Sequence, residues 1–200
     1  MKEWFTKQLK KLIKKKLKAL SWAFCGTTIR NPKYPDHPKS LLFVCKGNVC
    51  RSPFAEYLIR KMAAISTGHK PISYSAGLEV SRSMPPPKEA IMAAETFGIQ
   101  LNGHRSRRLS HKMVESFDMV ITMEVRQFRV MQKAFPKHRD KIFLLPLFDS
   151  MGRRKLKRCA RYNIRDPYGE NLAAFQDCFR RIESGVGGMF EEMSGVETPR

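Results

Sequence analysis

The sequence predicts an α/β fold with a parallel sheet, because short apolar segments alternate along the chain with longer segments of helical period. The apolar segments are short and rich in Val, Ile, Leu and Phe, which is typical of strands buried on both faces. The first of them stops at a cysteine and is followed by a five-residue loop and then Arg51, Ser52 and Pro53. Because Ser-Pro is a common helix opening, this stretch predicts a strand, a loop and a helix in succession.

The same patterns place the other elements beyond residue 39. The predicted strands span 40–45, 72–76, 118–123 and 141–147, and the predicted helices span 53–64, 87–97, 110–116, 124–135 and 170–193. Alternating strands and helices of these lengths indicate one sheet with helices on both faces.

Composition limits the classes of function. Two hundred residues with 42% hydrophobic content suit one globular domain and an appendage. The net charge of +20 predicts an anionic partner, which is a membrane surface, an acidic protein or polymer, or nucleic acid. Five cysteines without regular spacing argue against a secreted disulfide scaffold, so we expect a cytoplasmic protein. No Cys-x-x-Cys or His pair has metal-ligand spacing, so neither a metal nor a cofactor is expected.

A change of composition near residue 39 predicts two parts. The segment 31–38 contains three prolines and predicts an extended linker. We therefore divide the chain into 1–39, a helix with its proline-rich linker, and 40–200, a globular domain.

Residues 1–24 predict a basic amphipathic helix. Glu3 is the only acid among the first 35 residues, and Trp4 and Trp22 suit a lipid headgroup boundary. Such a helix binds an anionic membrane surface, which predicts peripheral association with the inner membrane face. A helix packed on its own domain is the alternative. The apolar stripe is Phe5, Leu9, Leu12, Ile13, Leu17, Leu20 and Phe24, and the lysines are Lys2, Lys7, Lys10, Lys11, Lys14, Lys15, Lys16 and Lys18.

The loop after the first strand has the composition of a phosphate-binding nucleophile loop. Backbone N–H groups between a strand end and a helix N-terminus can form an anion site, to which the helix dipole contributes. The same field stabilises a thiolate, so Cys45 is the predicted nucleophile. Arg51 can bind two phosphoryl oxygens at once. We expect Gly47 to adopt a backbone conformation that most residues avoid.

Residues 44–53, continued by Ala55 and Glu56, resemble the signature V-C-x-G-N-x-C-R-S-P-x-A-E of the low-molecular-weight protein tyrosine phosphatases. The resemblance extends over about residues 40–193. It implies a four-stranded parallel sheet in the order 2-1-3-4 and hydrolysis of phosphotyrosine through a cysteinyl-phosphate intermediate. It also implies a phosphotyrosine protein as substrate, and by analogy a bacterial tyrosine kinase.

The resemblance implies a set of site residues. Asp166, in an Asp-Pro-Tyr-Gly sequence, matches the general acid that protonates the leaving oxygen and then deprotonates water. Cys45, Arg51 and Asp166 are the predicted catalytic residues. Cys50 matches a residue that forms a reversible disulfide with the nucleophile. The residues expected around the phosphate are Lys46, Gly47, Asn48, Val49, Cys50, Ser52 and Tyr168, and those expected behind the loop are Ser75 and His104.

Three departures from the family pattern concern the substrate. Lys46 follows the nucleophile where an aliphatic residue is common, and segment 80–84 lacks the aromatic residue of eukaryotic members. Gly169 stands where those members have a second aromatic residue. The sequence is more similar to bacterial members of the family.

Three other functions agree less well with the sequence. An arsenate reductase on this fold needs an extra pair of thiols, whereas residues 51–158 contain no cysteine. Phosphoarginine phosphatases tend to have Thr where Val49 stands. A non-catalytic basic protein that binds membrane or nucleic acid would not need the nucleophile, the arginine and the acid together, and nucleic acid is the less favoured partner.

Overall fold

The computed structural model describes residues 29–66, 68, 70–149 and 161–194. The helix predicted over 1–24 therefore lies outside the described residues. Among the helices that are described, none is long and apolar enough to cross a membrane.

A four-stranded parallel sheet in the order β2-β1-β3-β4 forms the centre, which confirms the predicted fold class. The strands are β1 (Ser40–Cys45), β2 (Ile72–Gly77), β3 (Met119–Thr122) and β4 (Ile142–Leu144). The helices are α1 (Arg51–Ile65), α2 (Lys88–Glu95), α3 (His111–Ser116), α4 (Val125–Ala134) and α5 (Leu172–Ser194).

Alternate side chains of β1 are buried on opposite faces of the sheet. Leu41 and Phe43 pack with α1, α2 and α5, whereas Leu42 and Val44 pack with α3 and α4. Phe43 pairs in register with residues of both β2 and β3, so β1 is a central strand. Because all four strands are parallel, their carboxyl ends meet at one edge, where open α/β sheets bind ligands. β1 ends there at Cys45.

Two predicted boundaries are corrected. The strand predicted over 141–147 ends at Leu144, and Leu145–Leu147 forms a 3-10 turn, because Pro146 has no N–H to donate to a ladder. Helix α1 starts at Arg51 rather than at Pro53. Pro53 can lie within the first turn, because the N–H groups of that turn have no partner within the helix and the missing N–H of proline is not needed there. The other boundaries agree with the prediction to within two residues.

The start of the predicted linker packs against the sheet. The Asn31 side chain accepts from Leu144 N at 2.7 Å and donates to Leu144 O at 3.4 Å. The Tyr34 ring makes edge contacts with Phe143 and Phe148. The Asn31 amide thus occupies hydrogen-bonding positions on β4 that another strand could use, which protects this edge. The division at residue 39 stays a prediction, but residues 31 and 34 contact the catalytic domain.

Candidate active site

The sulfur of Cys45 lies between the end of β1 and the start of α1. The thiol is buried, with 2% of the residue exposed. Asn48 N donates to Cys45 Sγ at 3.2 Å, and Ser52 Oγ donates to the same sulfur at 3.0 Å. Two donors at a helix N-terminus stabilise the thiolate, which is the nucleophilic form.

The residue with the unusual backbone in this loop is Asn48, not Gly47. Asn48 has φ +53°, whereas the described glycines with positive φ are Gly98 and Gly169. Asn tolerates the left-handed region better than most residues. The expectation for Gly47 was therefore wrong, and a Cβ there would meet only Val49 Cγ2, at an ordinary 3.7 Å.

Asn48 holds this conformation through a buried set of hydrogen bonds. Its Nδ2 donates to Ser52 Oγ at 3.0 Å and to Ser75 Oγ at 2.8 Å. Its Oδ1 accepts from Arg107 N at 2.9 Å. Because Ser52 also donates to the sulfur, one side chain links β2, the Arg107 segment and the nucleophile. The side chains of Asn48 and Ser52 thus support the loop from behind rather than line the cavity.

Two buried titratable residues complete this support. His104 Nε2 donates to Asn48 O at 2.9 Å, while Nδ1 has no partner. Burial lowers the pKa of His104 against the opposing effect of this hydrogen bond, so the ring is neutral. Glu56 accepts from Ser75 Oγ at 2.5 Å and forms an ion pair with Arg60. Burial raises the pKa of Glu56, although Ser75 and Arg60 act in the opposite direction.

Gly77 allows β2 to approach the nucleophile loop. A Cβ at this position would lie 2.6 Å from Val80 Cγ2 and 3.0 Å from both Asn48 N and Gly47 C. Since two of these atoms belong to the loop backbone, they cannot move without disturbing the loop. A glycine is therefore required here by close approach and not by φ.

Arg51 is fixed by partners on three sides. Its Nη1 donates to Glu124 Oε1 at 2.9 Å and to Ile164 O at 3.1 Å, and its Nη2 lies 2.7 Å from Asp166 Oδ2. Burial acts to lower the pKa of Arg51, but the charges of Cys45, Asp166 and Glu124 raise it overall. The guanidinium is thus charged and oriented beside the nucleophile.

Asp166 lies in a more exposed loop whose start is anchored. Ile164 N donates to Met123 O at 2.9 Å, and Val125 N donates to Asn163 Oδ1 at 3.0 Å. Beyond this anchor, the side chain of Asp166 is 36% exposed. Tyr168 follows on the same side of the site and is 58% exposed. The carboxylate can therefore contact both Arg51 and solvent.

These residues surround a cavity of about 210 Å³. At its mouth, Lys46 Nζ lies 3.6 Å from Glu79 Oε2, and both side chains are exposed. No group of His, Cys, Asp or Glu that could hold a metal ion occurs in the parts of the chain that are described. The lining residues are Cys45, Lys46, Gly47, Val49, Cys50, Arg51, Glu79, Val80, Ser81, Arg82, Met84, Ser106, Asp166 and Tyr168.

Cys50, the predicted disulfide partner of Cys45, is buried beside the nucleophile. Cys45 and Cys50 are both free cysteines, and both line the cavity. Burial raises the pKa of Cys50, as does the proximity of Cys45. Cys50 is therefore a thiol at neutral pH, and its role as a disulfide partner stays a prediction.

A family model described as low molecular weight phosphotyrosine protein phosphatase matches residues 40–197. The chain belongs to this family. It is 29% identical over 149 residues to the probable low molecular weight protein-tyrosine-phosphatase EpsP of Ralstonia solanacearum, an alignment that covers 74% of this chain and 91% of EpsP. The chain is thus a phosphoric monoester hydrolase of the protein-tyrosine-phosphatase class.

Solved structures agree with this assignment. The low molecular weight protein tyrosine phosphatase of T. tengcongensis is 27% identical, with a TM-score of 0.67 over 76% of this chain and 98% of that one. The YwlE arginine phosphatase of Geobacillus stearothermophilus has the same TM-score of 0.67 over 82% of this phosphatase and 100% of that chain, at 24% identity. The second similarity concerns the fold alone.

Sequence reasoning did not assign roles to three residues of the site. Glu124 follows β3, and a carboxylate at the carboxyl end of a parallel strand could have been flagged as a site residue. Glu56 is the single acid of α1 and the last residue of the family signature, which could have marked it as part of the site. Gly77 gave no signal beyond ending a strand, because the atoms that it must avoid come from another segment.

Proposed function

We propose that Cys45, Arg51 and Asp166 together hydrolyse phosphotyrosine in protein substrates. The observation that carries this proposal is that all three line one cavity, with Arg51 Nη2 2.7 Å from Asp166 Oδ2. A nucleophile, a bidentate phosphate ligand and an acid are thus within reach of one phosphoryl group.

In the first step, the Cys45 thiolate attacks phosphorus and the bond from phosphorus to the tyrosine oxygen breaks. Asp166, in its protonated form, gives its proton to that oxygen, so tyrosine leaves as a neutral phenol. The equatorial oxygens lie against the backbone N–H groups of the loop and Arg51, which neutralise the charge of the transition state. The products are a cysteinyl phosphate and an ionised Asp166.

In the second step, water attacks the phosphorus of the cysteinyl phosphate. Asp166 takes a proton from that water, the phosphorus–sulfur bond breaks, and Cys45 leaves as a thiolate. The donors from Asn48 N and Ser52 Oγ stabilise the leaving sulfur as they stabilised the attacking one. Asp166 ends protonated, which restores the starting state.

The proposed substrate is a tyrosine-phosphorylated protein, and by analogy with the family a bacterial tyrosine kinase. Tyr168 offers an exposed ring at the cavity, which suits an aryl group. A phosphoarginine phosphatase is the alternative on this fold, since the YwlE structures are similar to this one.

A comparison of three phosphopeptides tests the substrate. The full chain should hydrolyse a phosphotyrosine peptide with a much higher kcat/KM than the same peptide carrying phosphoserine or phosphoarginine. Cys45→Ser should remove the activity on all three, which excludes a contaminant. Faster hydrolysis of phosphoarginine would overturn the proposal.

We also propose that residues 1–24 place the phosphatase at an anionic membrane surface. Eight lysines and one acid in this segment would each act within a Debye length of roughly 8–10 Å, and each lysine contributes about 1 kcal/mol near an anionic leaflet. The test compares the full chain with a chain that starts at Ile29, which keeps Asn31 and Tyr34. The shortened chain should retain activity on a small aryl phosphate and lose binding to phosphatidylglycerol vesicles. Equal binding of both chains would contradict the proposal.

A further inference from the structure

Three cations of the described chain line the cavity, and two of them have acidic partners there. Arg51 Nη2 contacts Asp166 Oδ2, and Lys46 Nζ lies 3.6 Å from Glu79 Oε2. The third cation is Arg82, and none of the described residues forms a hydrogen bond or an ion pair with its guanidinium. One charged side chain of the cavity is thus left for a ligand.

Arg82 lies at the mouth of the cavity, whereas the nucleophile lies at its base. Arg82 is exposed, but Cys45 is only 2% exposed and Arg51 only 1%. A phosphoryl group that reaches the sulfur is therefore bound by the buried Arg51. The residues of a protein substrate that flank the phosphotyrosine remain outside the base of the cavity, at the level of Arg82.

The backbone that carries Arg82 is fixed relative to the nucleophile loop. Ser106, which is 4% exposed, donates from N to Met84 O at 2.9 Å and accepts at Oγ from Met84 N at 2.9 Å. Ser106 Oγ also donates to Arg82 O at 3.4 Å. The next residue, Arg107, donates from N to Asn48 Oδ1 at 2.9 Å. Because this segment is already ordered, a ligand at Arg82 does not have to immobilise a loop, which lowers the entropic cost of binding.

The chemistry of a guanidinium identifies the ligand that Arg82 fits. Its forked N–H groups match the two oxygens of a carboxylate. Glu79, on the same rim, is already paired with Lys46, so it leaves the charge of Arg82 available. A substrate with basic residues beside its phosphotyrosine would instead meet a like charge, which disfavours it.

We propose that Arg82 is a specificity-determining residue, which binds the carboxylate of an aspartate or glutamate next to the phosphotyrosine of a protein substrate. This inference rests on the proposed hydrolysis of phosphotyrosine and adds a class of substrate sequence to it. The contact is remote from the reacting atoms and is the same before and during phosphoryl transfer. It should therefore lower KM rather than raise kcat.

Three phosphotyrosine peptides test the inference with the full chain. They differ only in the two residues that flank the phosphotyrosine, which are both Glu, both Gln or both Lys. The test variants are Arg82→Gln and Arg82→Glu. The matched controls are Arg108→Gln and Arg108→Glu, because Arg108 is also an exposed arginine but does not line the cavity.

The readout is the ratio of kcat/KM for the Glu peptide to kcat/KM for the Gln peptide, measured within each enzyme. A ratio of this kind cancels any change in the fraction of folded enzyme. Measurement at about 0.15 M ionic strength screens charges farther away than roughly 8 Å, so the remaining charge of the protein contributes little.

The wild type should prefer the Glu peptide about fivefold, through KM, which corresponds to an ion pair between partly exposed groups. Arg82→Gln should reduce this ratio to less than about twofold. Arg82→Glu should reverse the preference, so that the Lys peptide becomes the better substrate. Both Arg108 variants should keep the ratio of the wild type.

Three results would overturn the inference. Equal losses on all three peptides in Arg82→Gln would mean that Arg82 acts on the phosphoryl group itself. A wild-type ratio in both Arg82 variants, or an equal change in the Arg108 variants, would show that the preference does not depend on this side chain. Failure of the wild type to hydrolyse any phosphotyrosine peptide would instead overturn the proposed function and with it the inference.

Discussion

The nucleophile loop and the acid loop of this phosphatase are fixed in different ways. Around Cys45, the donors and acceptors are buried. The single residue Asn48 forms four of these hydrogen bonds, with Ser52, Ser75, Arg107 and His104. Asp166 instead is partly exposed and lies against Arg51 through an ion pair. The first arrangement is fixed by the fold, whereas the second depends on charge.

This difference separates two tasks of the reaction. Attack at phosphorus needs a sulfur and a ring of donors in a constant position, which buried hydrogen bonds provide. The acid must exchange a proton with the leaving group and later with water, so it needs access to solvent. Variants of the two loops should therefore differ in how their effects depend on the substrate.

The largest expected effect comes from Asp166→Asn. On phosphotyrosine, a poor leaving group, kcat should fall by roughly 10²–10⁴-fold, because the amide cannot protonate the phenol oxygen. On nitrophenyl phosphate the loss in the first step should be much smaller, because nitrophenolate leaves without a proton. Steady-state and single-turnover kinetics on both substrates measure the difference. Glu170→Gln, a neutralisation in the same exposed loop, is the control and should show neither loss. Equal losses on the two substrates would mean that Asp166 acts only in positioning Arg51.

Asn48→Gly should break the nucleophile loop without straining its backbone. Glycine accepts φ +53°, so the change removes only the side-chain hydrogen bonds. We expect kcat/KM to fall about a hundredfold on phosphotyrosine and on nitrophenyl phosphate alike, because the sulfur and its donors lose their alignment. Asn102→Gly, at an exposed position, controls for loss of an Asn. A loss confined to one substrate would contradict the separation of the two loops.

Gly77→Ala and Gly47→Ala compare two glycines near the loop. Gly77→Ala should lower the free energy of unfolding by about 1–3 kcal/mol, because the added Cβ overlaps Val80 and approaches the loop backbone. Gly47→Ala should change it by less than about 0.5 kcal/mol, since the site has space and an ordinary φ. Chemical denaturation measures both. Equal stabilities would show that β2 can move away from the loop at little cost.

The smallest effect is the pH dependence due to His104. Burial lowers its pKa below the ordinary value of 6.5. As the pH falls below 6.5, the ring binds a proton in the unfolded chain before it does so in the folded chain. The free energy of unfolding therefore decreases as the pH is lowered, until the pKa of the folded state is reached. Above pH 6.5 the ring is neutral in both states and has no effect. The difference between wild type and His104→Gln, measured by denaturation across this range, should shrink as the pH falls. A difference that grows would mean that the folded protein stabilises the imidazolium.

The strands and the nucleophile loop could be predicted because their signals are local. Cys45 and Arg51 lie within seven residues of each other, and the strand, the loop and the helix opening follow one another in the sequence. The sheet order came from the family resemblance and is confirmed. The end of β4 was missed, although Pro146 marks it.

The partners that fix the site could not be predicted, because they come from distant segments. The ion pair from Arg51 to Glu124 joins residues 73 positions apart, and Ile164 O lies 113 positions from Arg51. The left-handed residue was assigned to Gly47 because glycine is the usual choice, but the hydrogen bonds of Asn48 decide which residue adopts it. The packing of Asn31 on Leu144 likewise depends on an edge that only the folded sheet creates.

The central claim is that the pre-positioned sulfur of Cys45 carries the phosphoryl group between the two steps. Rapid acid quench of the full chain during turnover of nitrophenyl phosphate, followed by peptide mass spectrometry, tests it directly. We predict that the peptide containing Cys45 gains the mass of one phosphoryl group, that the gain decays as substrate is exhausted, and that Cys45→Ala shows neither the gain nor turnover. Turnover without phosphorylation of Cys45 under conditions that preserve a synthetic cysteinyl phosphate, or a phosphoryl group on another residue, would contradict the account.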